Sequence, residues 1–139
     1  MNDKDHFARL ARRLRNMATG LVLSGGGARG YAHLGVHQLI EEQSISLDYI
    51  GGSSMGALLG ASMAMGISTD EIRKLSAVFA NKPALFDYTL PLASLMKSKK
   101  LSNFCQTVYG AQRIEDLWTP FFCVSSNLCL LYTSPSPRD

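Results

Sequence analysis

Two stretches, Leu21-Val22-Leu23-Ser24-Gly25-Gly26-Gly27-Ala28-Arg29-Gly30 and Leu47-Asp48-Tyr49-Ile50-Gly51-Gly52-Ser53-Ser54-Met55-Gly56, share one layout. Each is a short apolar run that breaks into glycine and serine and then opens a helical pattern. Leu21–Leu23 reads as a buried strand. After Gly30 a helix runs from about Tyr31 to Gln43, with Leu34, Leu39 and Ile40 toward the core. Leu47–Ile50 reads as a second short strand. A second helix opens at Ser54 and ends near Gly66; it is apolar or small on all sides, the mark of a helix buried all round. Gly56, Gly60 and Ala64 recur every four residues and give it a flat stripe for close approach.

Downstream, Ser68-Thr69-Asp70-Glu71 is a capping box, with Ser68 and Glu71 satisfying each other's backbone N–H groups at the start of a third helix. Ile72, Leu75, Val78 and Phe79 share one face of it. Residues 82–92 contain prolines and read as a loop, a helix follows from about Leu101 to Val108, and Pro120–Val124 is a β-prone run. This alternation predicts an α/β fold with a parallel sheet covered on both faces. Upstream, Phe7, Leu10, Leu14 and Met17 fall on one face of a short amphipathic helix, and arginines fall on the other. That helix reads as a linker or docking element. The tail from Cys129 ends in Ser-Pro-Ser-Pro, which is linker-like and cannot continue a strand. It is set aside as non-native-looking or disordered. The expected organisation is therefore a basic linker helix over 1–19, one domain over 20–128, and a tail over 129–139.

The net charge of +3 comes largely from Arg9, Arg12, Arg13 and Arg15, with Lys97, Lys99 and Lys100 as a second cluster. Neither is interleaved with aromatic residues, so nucleic acid is not an expected partner. Solvated helix faces are the plain reading; attraction to an anionic membrane surface is the other. The three cysteines, Cys105, Cys123 and Cys129, have no metal-knuckle or redox spacing, which points to a reduced, cytoplasmic setting. The start of the chain has no secretory signal, and the most apolar run, Met55–Ile67, is shorter than a membrane span.

The chemistry sits at the two glycine turns. Gly52-Ser53-Ser54-Met55-Gly56 is a G-x-S-x-G, the pattern of a nucleophile elbow, in which a serine is exposed on a tight strand-to-helix turn. The helix N-terminus there favours developing negative charge. Gly25–Gly30 can turn its backbone N–H groups inward as an anion nest for an oxyanion or a phosphate. Alone it also fits a dinucleotide loop, but that use wants an acid at the end of the second strand, and Asp48 stands before it. A P-loop is excluded, because Tyr31-Ala32 follows Gly30 where Lys-Ser/Thr is required. A purely structural turn is the remaining alternative. Taken together, a serine elbow and a separate donor loop on the neighbouring strand end point to acyl transfer. The base is missing from this picture: His6, His33 and His37 all precede Ser54, and a Ser-Asp/Glu-His triad needs its histidine after the serine. His33 and His37 share a helix face and read as ordinary helix residues.

On these residues the sequence resembles the patatin-like phospholipase family. It has that family's Gly-Gly-Gly-x-Arg-Gly loop and its G-x-S-x-G within a Gly-Gly-Ser-Ser-Met-Gly context, and the resemblance covers about Gly20 to Leu128. Ile114-Glu115-Asp116-Leu117 and Pro120–Ser125 look like the family's next strand region. The basic helix ahead of Gly20 is similar to the linker of the neuropathy-target-esterase subgroup, whose members often carry cyclic-nucleotide-binding-like domains before the hydrolase. The resemblance implies a three-layer, parallel-sheet α/β hydrolase fold, here incomplete at the C-terminus. It implies a Ser–Asp dyad that cleaves phospholipid or lysophospholipid esters without metal or cofactor. Ser54 would be the nucleophile, flanked by the elbow glycines Gly52 and Gly56. Gly25, Gly26, Gly27 and Gly30 would form the oxyanion loop, with Gly26 and Gly27 donating and Arg29 ordering it. The family's aspartate precedes Gly-Gly or Gly-Ala, and no Asp-Gly pair exists in this chain. The expected base lies beyond this fragment, and the fragment itself is expected to be inactive. The alternative is a lipid-binding or regulatory module that kept the fold and lost catalysis. The expected location is cytoplasmic, peripheral at the inner membrane face.

Overall fold

The computed structural model describes residues 3–80, 98–127 and 132–135. Strand β1 (Gly20–Leu23) pairs in parallel with β2 (Tyr49–Gly52), and β2 pairs in parallel with β3 (Phe121–Asn127). Between β1 and β2 run a 3₁₀ turn (Gly27–Tyr31) and a helix over Ala32–Glu42; between β2 and β3 come helices over Met55–Ala64, Thr69–Ala80 and Ser98–Tyr109. With the leading helix over Asp3–Leu14 as α1, these are α2 to α5 in chain order. The predicted α/β architecture with parallel β1–β3 is that of the structure, but the second helical layer expected on the other face of the sheet is not among the described residues. The loop expected over 82–92 lies outside the described residues.

Strand β2 extends to Gly52, two residues beyond the predicted end at Ile50. The register explains why: Gly51 and Gly52 pair with Val22 and Leu23 on one side and Phe122 and Cys123 on the other. Glycine is a poor strand former by propensity, but a central position supplies ladder bonds on both edges.

The strand faces are sharply different. Leu23, Ile50 and Phe121 are buried with Leu34, Met55, Leu59, Met63, Ala64 and Ile72. Helix α3 lies directly on β1, β2 and β3, and α2 and α4 pack beside it. The small-residue stripe does what its spacing predicts: a Cβ on Gly60 would come within 3.2 Å of both Ile50 and Phe121. On the opposite face Val22, Phe122 and Val124 are exposed, with the Phe122 ring folded over Gly51. Among the described residues, helices cover one face of the sheet.

The capping box is present: Ser68 N–H donates to Glu71 Oε2 at 3.2 Å, and Glu71 N–H returns to Ser68 Oγ at 3.4 Å. The tail departs from expectation. Tyr132–Pro135 forms β4, antiparallel to β3, with Pro135 opposite Val124. An edge strand tolerates proline because one side of it needs no ladder donor.

Helix α1 docks with the face opposite to the one its pattern suggests. Phe7, Leu10, Leu14 and Met17 are exposed, whereas Arg9 is 7% exposed. The cause is Asp48, which is fully buried just before β2. Arg12 donates to its carboxylate from Nη2 at 2.7 Å and from Nε at 3.0 Å, and Thr19 N–H donates at 2.9 Å. Arg13 donates to the Asp48 carbonyl at 3.2 Å, and Arg9 to the Trp118 carbonyl and to Thr119. A buried carboxylate without such partners would be strongly unfavourable, so these bonds hold α1 against the amino ends of the strands. The helix stops in a Schellman turn, with Asn16 at φ 55° and Met17 N–H bonded back to the Arg12 carbonyl. Asp48 is thereby closed to a ribose, which removes the dinucleotide reading.

Candidate active site

Strand β2 ends at Gly52 and α3 begins at Met55, so Ser53 and Ser54 make the whole turn. Ser54 is exposed at the helix N-cap with φ 51° and ψ −124°, a conformation that strains any residue with a Cβ. The turn is closed by Ser53 N–H to the Leu23 carbonyl at 3.1 Å and by Gly56 N–H to the Ser53 carbonyl at 2.9 Å. The flanking glycines are steric necessities. A Cβ on Gly52 would collide with the Gly56–Ala57 backbone, and one on Gly56 with the carbonyls of Leu23 and Ser24. These glycines let α3 sit on the ends of β1 and β2 and push the Ser54 side chain outward.

The Gly-rich loop meets this serine. A Cβ on Gly25 would lie 3.0 Å from Ser54 Cβ and 3.7 Å from Ser54 Oγ. Gly26 (φ 153°) and Gly27 (φ 55°) take backbone conformations that favour glycine, and the chain then tightens into the 3₁₀ turn through Arg29 N–H to the Gly26 carbonyl at 3.1 Å. Gly30 is buried against Met55, the residue after Ser54. Among the described residues, the N–H groups of Gly25, Gly26 and Gly27 have no protein acceptor. Arg29 contributes to loop order through its backbone; its guanidinium is exposed and has no partner among the described residues. The two sequence motifs, separate in the chain, thus form one site at the carboxyl ends of β1 and β2.

No His, Asp or Glu among the described residues bonds to Ser54 Oγ, and no group of three His, Cys, Asp or Glu is placed to hold a metal ion. Sequence reasoning passed over two histidines that are not idle. His37 is buried and bonds through Nδ1 to Thr69 Oγ1 at 2.7 Å, joining α2 to α4; burial lowers its pKa. His33 Nε2 is 3.0 Å from the Ser24 carbonyl, which stands at the entrance of the Gly-rich loop. Its position four residues after Arg29, on the first turn of a helix opened by that loop, is the signal that could have found it.

A small, mainly apolar cavity of about 30 Å³ lies between α3, α4 and α5, with Tyr31, Met55, Ser62 and Tyr109 among its walls. Tyr109 donates to the Leu58 carbonyl at 2.8 Å, and burial pushes its hydroxyl up to about 12. None of the described helices is long and apolar enough to cross a membrane.

The comparisons with known proteins agree with this geometry. The chain is 38% identical over 130 residues to the lysophospholipase NTE1 of Meyerozyma guilliermondii and 40% identical over 130 residues to that of Candida glabrata. These alignments cover 90% of the chain but only 9% and 8% of the relatives. An uncharacterised NTE family protein of Mycobacterium tuberculosis is 38% identical over 127 residues, covering 91% of the chain and 22% of that protein. The family model described as patatin-like phospholipase matches residues 21–137, and the chain belongs to that family.

Proposed function

We propose that this chain carries the nucleophile and the oxyanion site of a serine acyl hydrolase acting on phospholipid or lysophospholipid esters. The carrying observation is Ser54: an exposed hydroxyl at a strained φ of 51°, packed against Gly25 of a loop with unpaired N–H groups. Ser54 Oγ attacks the ester carbonyl as its proton passes to a carboxylate base. The oxyanion is received by N–H groups of the Gly25–Gly30 loop, with Gly26 and Gly27 as donors. The alcohol leaves with the proton, and water then attacks the acyl-enzyme to release the fatty acid. The base is an aspartate of the longer polypeptide, forming a Ser–Asp dyad. The relatives named as lysophospholipases support the substrate class.

The test is fatty-acid release from a lysophospholipid by the full-length protein. Ser54→Ala lowers kcat at least ~10³-fold if Ser54 is the nucleophile. Undiminished release from that variant would sink the assignment. The second reading is a lipid-binding or regulatory module without catalysis, since among the described residues no His, Asp or Glu bonds to Ser54; full-length wild type that binds lipid and releases nothing would support it.

The protein is read as cytoplasmic and peripheral at the inner face of the membrane, with α1 and the turn that ends it touching the surface through Phe7, Leu10, Leu14 and Met17. This stripe is exposed, and the arginines behind it are engaged by Asp48 and its neighbours. Binding to neutral vesicles, lost in Leu14→Glu, supports that contact; equal binding by both would refute it. The cyclic-nucleotide-binding domain belongs to the same proposal about the full-length parent.

A further inference from the structure

We infer that His33 is a positioning residue for the oxyanion loop, acting through the single peptide unit that joins Ser24 to Gly25. The inference rests on the hydrolase reading of that loop. His33 Nε2 lies 3.0 Å from the Ser24 carbonyl oxygen. A carbonyl only accepts, so Nε2 carries the hydrogen and donates. The Ser24 carbonyl belongs to the same planar, trans peptide as the Gly25 N–H, and the two point in opposite directions. Fixing the carbonyl therefore fixes the direction of the Gly25 N–H.

The loop needs such a pin. Gly26 and Gly27 at φ 153° and 55° give it a backbone with few steric restraints. Its far end is held by Arg29 N–H to the Gly26 carbonyl and by Gly30 against Met55. At its entrance the Ser24 carbonyl faces the start of α3, where glycine at position 56 leaves it space, and His33 supplies the hydrogen bond. Being rooted in α2, the imidazole references the loop to a rigid helix. The donors Gly26 and Gly27 follow directly on this peptide, so its direction sets the point from which their N–H groups are aimed.

The experiment uses the full-length protein with glycine-selective ¹⁵N labelling alongside ester kinetics. His33→Ala is expected to shift the Gly25 amide resonance and lower kcat by about tenfold or more, below the ~10²–10³-fold cost of deleting an oxyanion donor, with KM little changed. His33→Gln, which can donate to the same carbonyl, restores both. A His33→Ala protein with the Gly25 resonance and kcat of wild type overturns the inference. So does a loss that Gln fails to rescue and that follows a fall in thermal midpoint, since that is a purely structural role. If wild type hydrolyses no ester while the Gly25 amide still responds to Ala and recovers with Gln, the positioning role stands and the hydrolase reading fails.

Discussion

Replacing Ser54 by glycine is expected to make the protein more stable while abolishing its chemistry. At φ 51° and ψ −124° a residue with a Cβ carries strain of about 1–3 kcal/mol, which glycine does not. Against this, glycine has more freedom to lose on folding, about 0.4–1 kcal/mol. Ser54 is exposed and makes no capping hydrogen bond through its side chain, so loss of the hydroxyl removes no partner. The net is a stabilisation of roughly 0.5–2 kcal/mol for Ser54→Gly. Ser54→Ala keeps the Cβ and the strain and should be near neutral. Urea unfolding of wild type and both variants, followed on the transition of this domain, gives the comparison. If Ser54→Gly is no more stable than Ser54→Ala, the turn is not strained and the elbow geometry is wrong.

Three other outcomes follow from the packing. Gly56→Ala is expected to destabilise by about 1–3 kcal/mol because its Cβ meets the Leu23 and Ser24 carbonyls, whereas Gly35→Ala, in open space on α2, stabilises by up to about 1 kcal/mol; paired denaturation curves decide. Asp48→Asn leaves the arginines around it without their buried anion and costs about 3 kcal/mol, read as a lower urea midpoint. The Asp48 carboxyl is held below its usual range, first by the Arg12 hydrogen bond, so this stability is full above the ordinary aspartate pKa and is lost as pH falls through the lowered one. Burial lowers the His37 pKa, so the unfolded chain takes up a proton first as pH falls below the ordinary histidine value. Stability should therefore decline through that range, and His37→Gln should flatten the decline in melts recorded from pH 7.5 to 5.

The strand–loop–helix units were legible because their signals are local. Glycine at positions 52 and 56 is demanded by backbone contact, and the loop glycines by positive φ, so motif and structure express the same constraint. The joining of Gly25 to Ser54 followed from parallel strand order, which brings both turns to one sheet edge. What periodicity could not supply was the docking side of α1. It identifies which residues share a face, but the choice between faces was made by Asp48, a buried carboxylate that needs the arginines more than the apolar stripe needs cover. His33 was missed for a similar reason: its partner is a backbone carbonyl, and the only mark in the sequence is its place on the first turn after the Gly-rich loop. The β4 pairing was missed because proline argues against strands in general but not against edges.

The most direct measurement is the site of covalent labelling by an alkyl fluorophosphonate on the full-length protein, located by peptide mass spectrometry. A single adduct on Ser54, absent from Ser54→Ala and accompanied by loss of ester hydrolysis, is the predicted result. Hydrolysis that survives with Ser54 unlabelled, or an adduct on another residue that accounts for the inhibition, would contradict the assignment of Ser54 as nucleophile.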